Sequence, residues 1–261
     1  MENQSGAPPR HPLVHPDETL DRLSRTLRII QKKQGQRAAS DDVFLAWRAA
    51  QAVPDACRAL DLGSGKGTVA MLLLQRLPRC RAVGVEALEM SYDLACRNAV
   101  LNALENRYAP RLGDLRDPSV LAGEPPFDLI TGAPPFKPLG SGTLPRNAQR
   151  AAGRFELRGG VNEYVHTAAR HLSPSGKLVI LMDGLEESRE RTERALETEG
   201  FFLHSILAVK PRPARASVYW IVEAGRSEAD TVEKRLNMRG ESGDAWSPDY
   251  EAIRREMDLP S

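Results

Sequence analysis

The chain of 261 residues has little cysteine, almost no net charge and no long apolar run. Its three cysteines, Cys57, Cys80 and Cys96, are odd in number, and no two of them form a C-x-x-C pair. This excludes a disulfide framework and a thiolate zinc site, and it suits a reducing compartment. No window approaches ~18 consecutive apolar residues, so no membrane span is predicted. The N-terminal residues lack the apolar core of a signal peptide, so we expect a cytoplasmic protein. We also expect no metal site.

The net charge of +1 indicates neither the presence nor the absence of a polyanionic partner. The basic residues are nevertheless concentrated in three segments, at 20–40, 137–158 and 210–215. The second segment contains Lys137, Arg150 and Arg154, which are candidates for contact with a phosphate backbone. Runs of basic residues are also common on solvated surfaces, and that interpretation stays open for these three side chains.

The most informative segment is Asp61–Gly67, which joins the apolar run Ala59–Leu62 to the apolar segment Thr68–Leu77. It has the pattern of a strand end, a glycine-rich turn and a helix N-terminus. Its spacing fits neither the G-x-G-x-x-G dinucleotide motif nor the P-loop. The remaining pattern, D-x-G-x-G-x-G, is typical of S-adenosylmethionine (SAM) binding in Rossmann-like methyltransferases. We therefore predict that the methionine end of SAM is held by Asp61, Gly63, Gly65 and Gly67.

Acidic residues at the ends of the following predicted strands complete this cofactor site. Glu86 lies about 20 residues beyond the glycine loop, where a carboxylate can accept hydrogen bonds from both ribose hydroxyls. Asp114 follows the next strand and could accept from the adenine amine. Asp41, in the helix before the glycine loop, is a further candidate for cofactor contact, although a capping role explains it equally well.

From residue 58 onward, short apolar runs alternate with helical patterns. This alternation predicts an α/β fold with a Rossmann-like, seven-stranded, mostly parallel sheet and an antiparallel last strand, the fold of class I methyltransferases. The last strand must be antiparallel because Lys210–Pro213 is too short for a crossover helix. The predicted strands are 59–62, 81–86, 107–112, 127–131, 177–182, 201–209 and 216–223, and the predicted helices are 67–77, 88–103, 160–172 and 185–199.

Four regions follow from this pattern. Residues 1–16 are rich in proline and polar side chains, and we expect a disordered arm. Residues 17–58 form a lead-in, with a helical piece near Asp17–Leu23, an extended Leu27–Gln31 and a helix Asp41–Ala52 opened by the capping cluster Ser40–Asp42. Residues 59–224 form the SAM-binding methyltransferase domain. Residues 225–261 form a charged tail with a short helix at Asp249–Met257.

The fourth predicted strand ends in the sequence Ala133-Pro134-Pro135-Phe136. Methyltransferases that act on amino groups have [D/N]-P-P-[F/Y/W] at this point. The Asn or Asp oxygen and the first proline carbonyl accept hydrogen bonds from the target amine, and the aromatic ring stacks on the plane that carries the amine. Here Pro134, Pro135 and Phe136 match, but Ala133 has no side-chain acceptor, and one lost hydrogen bond to a buried amine costs ~1–3 kcal/mol.

With these motifs, residues 18–225 resemble the bacterial tRNA adenine-N6 methyltransferases that act on the anticodon loop of a valine tRNA. The resemblance rests on Leu27–Gly35, Ser40-Asp41, Asp61–Gly67 and Pro134–Phe136, and also on Glu86, Asp114, Arg150 and Arg154–Glu156. It implies SAM as methyl donor, the amino group of a purine as acceptor, and RNA as its carrier.

Three departures from the family concern the expected substrate pocket. Ala133 replaces the catalytic Asn, Gln36 and Ala38 stand where the family has aromatic residues, and Phe155 stands where it has His or Tyr. Three hypotheses remain open. The first is N-methylation of adenine in RNA, and the second is methylation of a small molecule or another acceptor. The third is a non-catalytic protein that binds SAM or RNA.

Overall fold

A computed structural model describes residues 11–260 of the chain. Most of the predicted disordered arm, residues 1–16, therefore lies outside the described residues. The part that is described, residues 11–16, contains turns and no helix or strand. The four predicted regions remain predictions as domain boundaries.

The lead-in begins with a two-stranded antiparallel hairpin, β1 (Glu18–Arg22) and β2 (Arg28–Lys32). The extended segment at Leu27–Gln31 is confirmed, but the helix predicted near Asp17–Leu23 is wrong. This segment carries few apolar residues to define a period, and its pairing with β2 decides its conformation. The buried Glu18 anchors the hairpin through ion pairs with Arg97 at 2.7 Å and Lys32 at 3.0 Å.

Helix α1 (Ser40–Ala52) confirms the helix predicted at Asp41–Ala52. The capping residue is Ala39, not Ser40 as the predicted cluster suggests. The Ala39 amide donates to Oδ2 of Asp42 at 3.0 Å, so the third residue of the helix satisfies the cap position.

The central sheet has eight strands in the order β10-β8-β9-β7-β6-β3-β4-β5. All neighbours are parallel except β9, which is antiparallel to both β7 and β8. The Rossmann-like α/β fold and the antiparallel hairpin are thus confirmed, with one strand more than predicted. The strands are β3 (Arg58–Leu62), β4 (Arg81–Glu86), β5 (Tyr108–Leu112), β6 (Phe127–Gly132), β7 (Leu172–Asp183), β8 (Phe202–Lys210), β9 (Tyr219–Gly225) and β10 (Val232–Asn237).

The additional strand, β10, lies in the segment predicted as a charged tail. It pairs in parallel with β8 at the sheet edge. Its sequence, Val-Glu-Lys-Arg-Leu-Asn, has charged residues at three central positions and is largely exposed, which is typical of an edge strand and hides it from a hydrophobicity pattern. The helix predicted at Asp249–Met257 is confirmed as α7 (Pro248–Glu256).

Two hydrophobic cores cover the two faces of the sheet. The remaining helices are α2 (Thr68–Arg76), α3 (Glu89–Leu101), α4 (Ala148–Ala152), α5 (Val161–His171) and α6 (Glu186–Thr198), with a short 3₁₀ helix at Pro118–Leu121. Helices α1, α2, α3 and α7 contribute to the first core, and α5 and α6 contribute to the second. No helix within residues 11–260 is long and apolar enough to cross a membrane.

Candidate functional site

A cavity of about 560 Å³ lies where β3, β4, β5 and β6 end. Its volume is within the ~300–1,000 Å³ range of small-molecule and cofactor sites. Its position is the one at which open α/β sheets bind ligands, beyond the carboxyl ends of parallel strands. The loops after all four strands contribute to its wall, together with the N-terminus of α1, helix α4 and the segment that follows α4.

The glycine loop turns sharply between β3 and α2. Gly63, Gly65 and Gly67 have φ values of 65°, 56° and 85°, in the left-handed region that favours glycine. A Cβ at Gly63 would collide with the hydroxyl of Tyr164, whereas a Cβ at Gly65 would meet nothing within 4 Å. Gly63 and Gly65 line the cavity, but Gly67 does not. Gly67 instead precedes α2 and packs against Tyr108, so its place is structural.

Asp61, at the end of β3, presents a buried carboxylate to the cavity and is only 4% exposed. Its Oδ1 accepts from the Thr131 hydroxyl at 2.9 Å, whereas its Oδ2 has no hydrogen-bond partner among residues 11–260. Burial raises the pKa of Asp61 to about 7. A buried oxygen without a partner is costly, so this position favours a cationic or hydrogen-bond-donating ligand.

The backbone at the ends of β3 and β4 fixes the carboxylate of Glu86. Its Oε2 accepts from the Gly65 amide at 2.8 Å, and its Oε1 accepts from the Leu88 amide at 2.6 Å. Each oxygen keeps further lone-pair capacity for a ligand. Burial raises the pKa of Glu86 above its ordinary value, although these amides favour the charged form.

Asp114, after β5, also lines the cavity, but Arg116 holds its carboxylate. The Arg116 side chain donates to Oδ1 at 2.9 Å and to Oδ2 at 2.7 Å, and the Arg116 amide donates to Oδ1 at 3.0 Å. The Arg116 hydrogen bonds hold the pKa of Asp114 below its ordinary value. Asp114 is therefore ionised and oriented, with less free acceptor capacity than Glu86.

The segment after β6 brings Ala133, Pro135 and Phe136 to the cavity wall. Pro134 is buried and does not line the cavity. Ala133 is exposed and contributes no side-chain acceptor. The predicted cofactor residues other than Gly67 therefore share one cavity with Ala133, Pro135 and Phe136.

The three basic candidates occupy different places. Lys137 and Arg154 line the cavity, and the Lys137 amide donates to the Arg154 carbonyl at 3.0 Å. Arg150 lies on α4 outside the wall, where its Nε donates to the Gly35 carbonyl at 3.3 Å. Arg150 thus joins α4 to the turn after β2.

The N-terminus of α1 brings Asp41 and Asp42 to the cavity wall. The sequence predicts cofactor contact for Asp41 but not for Asp42. The Oδ1 of Asp41 is buried and has no hydrogen-bond partner in the described part of the chain. Burial raises the pKa of Asp42 to about 6. Lys66 of the glycine loop is buried close to both carboxylates, and burial lowers its pKa against their influence.

Lys66, Tyr164 and Gln149 line the cavity but were not predicted from the sequence. Lys66 stands at an unspecified position of the glycine motif. Its place within that motif is the one local indication that it lies at the cavity. Tyr164 and Gln149 reach the cavity from α5 and α4, and only the tertiary fold brings them there. The Nε2 of Gln149 donates to the Ser91 hydroxyl at 3.0 Å, and its Oε1 has no partner within residues 11–260.

Known methyltransferases are similar to this chain. The family model described as methyltransferase small domain matches residues 46–199. A tRNA1(Val) (adenine(37)-N6)-methyltransferase of Porphyromonas gingivalis is 34% identical over 151 residues, which are 56% of this chain and 58% of that protein. The protein of the same description from Tolumonas auensis is 29% identical over 233 residues, 88% of this chain and 93% of that protein.

Among solved structures, a predicted O-methyltransferase from Agrobacterium tumefaciens is similar to this chain. The two share a TM-score of 0.66 and 22% sequence identity, over 84% of this chain and 98% of the other. At this identity the likeness shows a common fold, the class I methyltransferase fold.

Proposed function

The chain belongs to the methyltransferase small domain family, and we propose that it transfers a methyl group from SAM to the amino group of an adenine in RNA. The observation that carries the proposal is the single cavity that joins the glycine loop and Glu86 to Ala133, Pro135 and Phe136. The names of the relatives from Porphyromonas and Tolumonas support a tRNA as the RNA and adenine N6 as the acceptor.

The donor end of the cavity fits SAM. The unpartnered Oδ2 of Asp61 is suited to the ammonium group of the methionine end, and Gly63 and Gly65 leave the backbone open to close approach. Glu86 is pre-oriented by the Gly65 and Leu88 amides to accept from the two ribose hydroxyls. When bound, SAM supplies an electrophilic methyl group on a sulfonium.

Two further carboxylates complete the proposed cofactor site. Asp114 accepts from the adenine amine through the capacity that Arg116 leaves free. Asp41 contacts the cofactor from the N-terminus of α1, where its unpartnered Oδ1 needs a donor. Residues 59–224, with these contributions from the lead-in, form the proposed SAM-binding domain.

At the acceptor end, the chain can position an amine with fewer groups than the motif usually provides. The Pro134 carbonyl accepts one amine hydrogen, and the Phe136 ring stacks on the base, a contact worth ~1–3 kcal/mol. Methyl transfer is an in-line displacement, so the rate depends mainly on how well these groups align the nitrogen lone pair. Ala133 contributes no hydrogen bond, and we expect slower transfer than an Asn at this position would give.

The RNA strand would run past the basic side of the cavity mouth. Lys137 and Arg154 are suited to phosphate contacts because both line the cavity at the Pro-Pro-Phe end. Arg150 contributes from α4, one turn from Arg154. A cytoplasmic location accords with an RNA substrate of this kind.

The direct test is transfer of label from radiolabelled SAM to an unmodified valine tRNA transcript, followed by digestion to nucleosides. We expect label in N6-methyladenosine. SAM binding without label in any nucleoside would refute the RNA acceptor. As a control, the variant Glu86→Ala should reduce label at subsaturating SAM.

Ala133 favours one second candidate, a methyltransferase for a small molecule or another acceptor. Its methyl group leaves more room than Asn and offers no amine acceptor. Under this alternative, Ala133→Asn would neither create nor improve RNA methylation, whereas a strong gain would exclude it. A non-catalytic role predicts SAM affinity with no turnover on RNA or on a panel of metabolites.

A further inference from the structure

Lys66 is the buried cation of the glycine loop. Its side chain and backbone together are 7% exposed, and it lines the cavity between Gly65 and Gly67. The Lys66 carbonyl accepts from Nδ2 of Asn98 at 3.0 Å, which fixes the loop against α3. The loop therefore brings a lysine side chain to the ligand cavity. The glycine motif itself needs only the backbone turns and does not require a lysine at this position.

Lys66 has no direct counter-ion among residues 11–260, unlike the lysines and arginines that form ion pairs elsewhere in this part of the chain. Within residues 11–260 it forms neither an ion pair nor a side-chain hydrogen bond, and Asp42 and Asp41 act on it only through space. Lys32, in contrast, contacts Asp17 at 2.9 Å and Glu18 at 3.0 Å. Because the residue is largely removed from water and its ammonium contacts no anion among these residues, an anionic group of a ligand would stabilise it.

The same cavity is also lined by groups of opposite sign. Asp61 presents an unpartnered carboxylate oxygen, and the charge of Asp42 influences both Asp61 and Lys66. A carboxylate and an ammonium that line one cavity are complementary to the two charged groups of an amino acid. The methionine end of SAM is such a zwitterion.

We propose that Lys66 binds the carboxylate of the methionine end of SAM, opposite Asp61, which takes the ammonium group. The proposal rests on SAM being the donor, as proposed above. It assigns the lysine of the loop a binding role that the glycine pattern does not require. It also predicts that the protein discriminates strongly between ligands with and without the carboxylate.

The test compares two ligands, SAM and decarboxylated SAM, by calorimetric titration of the wild type and of Lys66→Met. Because a hydrogen-bonded ion pair is lost, Lys66→Met should weaken SAM binding ~10- to 100-fold and leave the affinity for decarboxylated SAM nearly unchanged. The wild type should prefer SAM by a similar factor. Lys66→Arg should restore part of the preference.

Lys234→Met is the matched control, since it also removes a lysine, but from the exposed edge strand β10 and outside the cavity. It should keep the preference for SAM. Equal weakening of both ligands by Lys66→Met would overturn the proposal and indicate a structural lysine. Unchanged binding of both ligands would also overturn it. Failure of the wild type to bind SAM would instead refute the proposed donor, and with it this assignment.

Discussion

The donor end and the acceptor end of the cavity differ in how many polar groups the chain has already positioned. At the donor end, Glu86 is fixed by two backbone amides and Asp61 by the Thr131 hydroxyl. At the acceptor end, Ala133 has no polar side-chain group, and the contacts proposed beside it are the Pro134 carbonyl and the Phe136 ring. A rigid donor site with a sparse acceptor site is expected to bind its cofactor well and to align its substrate less tightly.

This difference follows from where each end gets its residues. The donor end uses residues within or directly after strands β3 and β4, whose register the buried sheet determines. The acceptor end uses the long segment between β6 and α5, which returns to the cavity through α4. Substitutions at the donor end should therefore change cofactor binding, and substitutions at the acceptor end should change transfer rate and RNA affinity.

The largest effect is expected from Glu86→Ala. It removes the acceptor of the Gly65 and Leu88 amides and leaves the ribose hydroxyls without a partner, at a cost of ~2–4 kcal/mol in SAM binding. Calorimetric titration measures this loss. The exposed Glu89, on the first turn of α3, provides the control, and Glu89→Ala should bind SAM like the wild type. Unchanged SAM affinity in Glu86→Ala would contradict the assigned role.

A second test of the donor end is the pH dependence of stability in Asp61→Asn. The pKa of Asp61 in the folded protein is raised to about 7. The stability linked to its protonated form is therefore present at low pH and is lost as the pH rises through about 7. The variant keeps the acceptor for Thr131 and lacks the titrating group.

From pH 4 to pH 8, the wild type should thus lose a few kcal/mol of unfolding free energy relative to Asp61→Asn, on the scale of ~1.4 kcal/mol per pKa unit. Urea unfolding at several pH values measures this difference. Asp61→Asn should bind SAM more weakly than the wild type, because the variant lacks the anionic carboxylate. A stability difference independent of pH would show that burial does not perturb this carboxyl.

Ala133→Asn tests the sparse acceptor end. If an adenine amine is the acceptor, the restored side-chain oxygen should raise the rate of single-turnover RNA methylation by ~5- to 150-fold, which corresponds to ~1–3 kcal/mol. SAM affinity should stay unchanged because the donor end is untouched. No gain in rate, with normal SAM binding, would favour a different acceptor.

The smallest effect is expected from the basic residues at the mouth. Arg154→Ala should weaken RNA binding modestly and reduce the slope of log affinity against log salt by ~0.7–0.9, as expected for one lost phosphate contact. Arg150→Ala should change the slope less, since Arg150 is partly engaged with the Gly35 carbonyl. Equal salt slopes for both variants and the wild type would remove these arginines from the RNA interface.

Local patterns predicted the strand, turn and helix around the glycine loop better than the peripheral strands. The strand, glycine turn and helix around Asp61–Gly67 are contiguous, so their hydrophobic pattern and spacing carry the information needed. The hairpin strand β1 was mistaken for a helix because its partner β2 decides its conformation. The edge strand β10 was missed because charged residues mask it.

The parts of the cavity that were not predicted depend on contacts between distant segments. Gln149 is held by Ser91, 58 residues earlier in the chain, and Tyr164 packs against Gly63 across the loop. The lack of a direct counter-ion for Lys66 among residues 11–260 is likewise a property of the folded chain. Burial, and not sequence pattern, distinguishes these side chains from ordinary surface residues.

The cavity at the ends of β3 and β4 is our proposed SAM site, and calorimetric titration of the purified wild-type protein with SAM tests this proposal. We expect saturable binding of one SAM per chain, lost or strongly weakened in Glu86→Ala. Absence of SAM binding at millimolar ligand, by a protein that is shown to be folded, would contradict it.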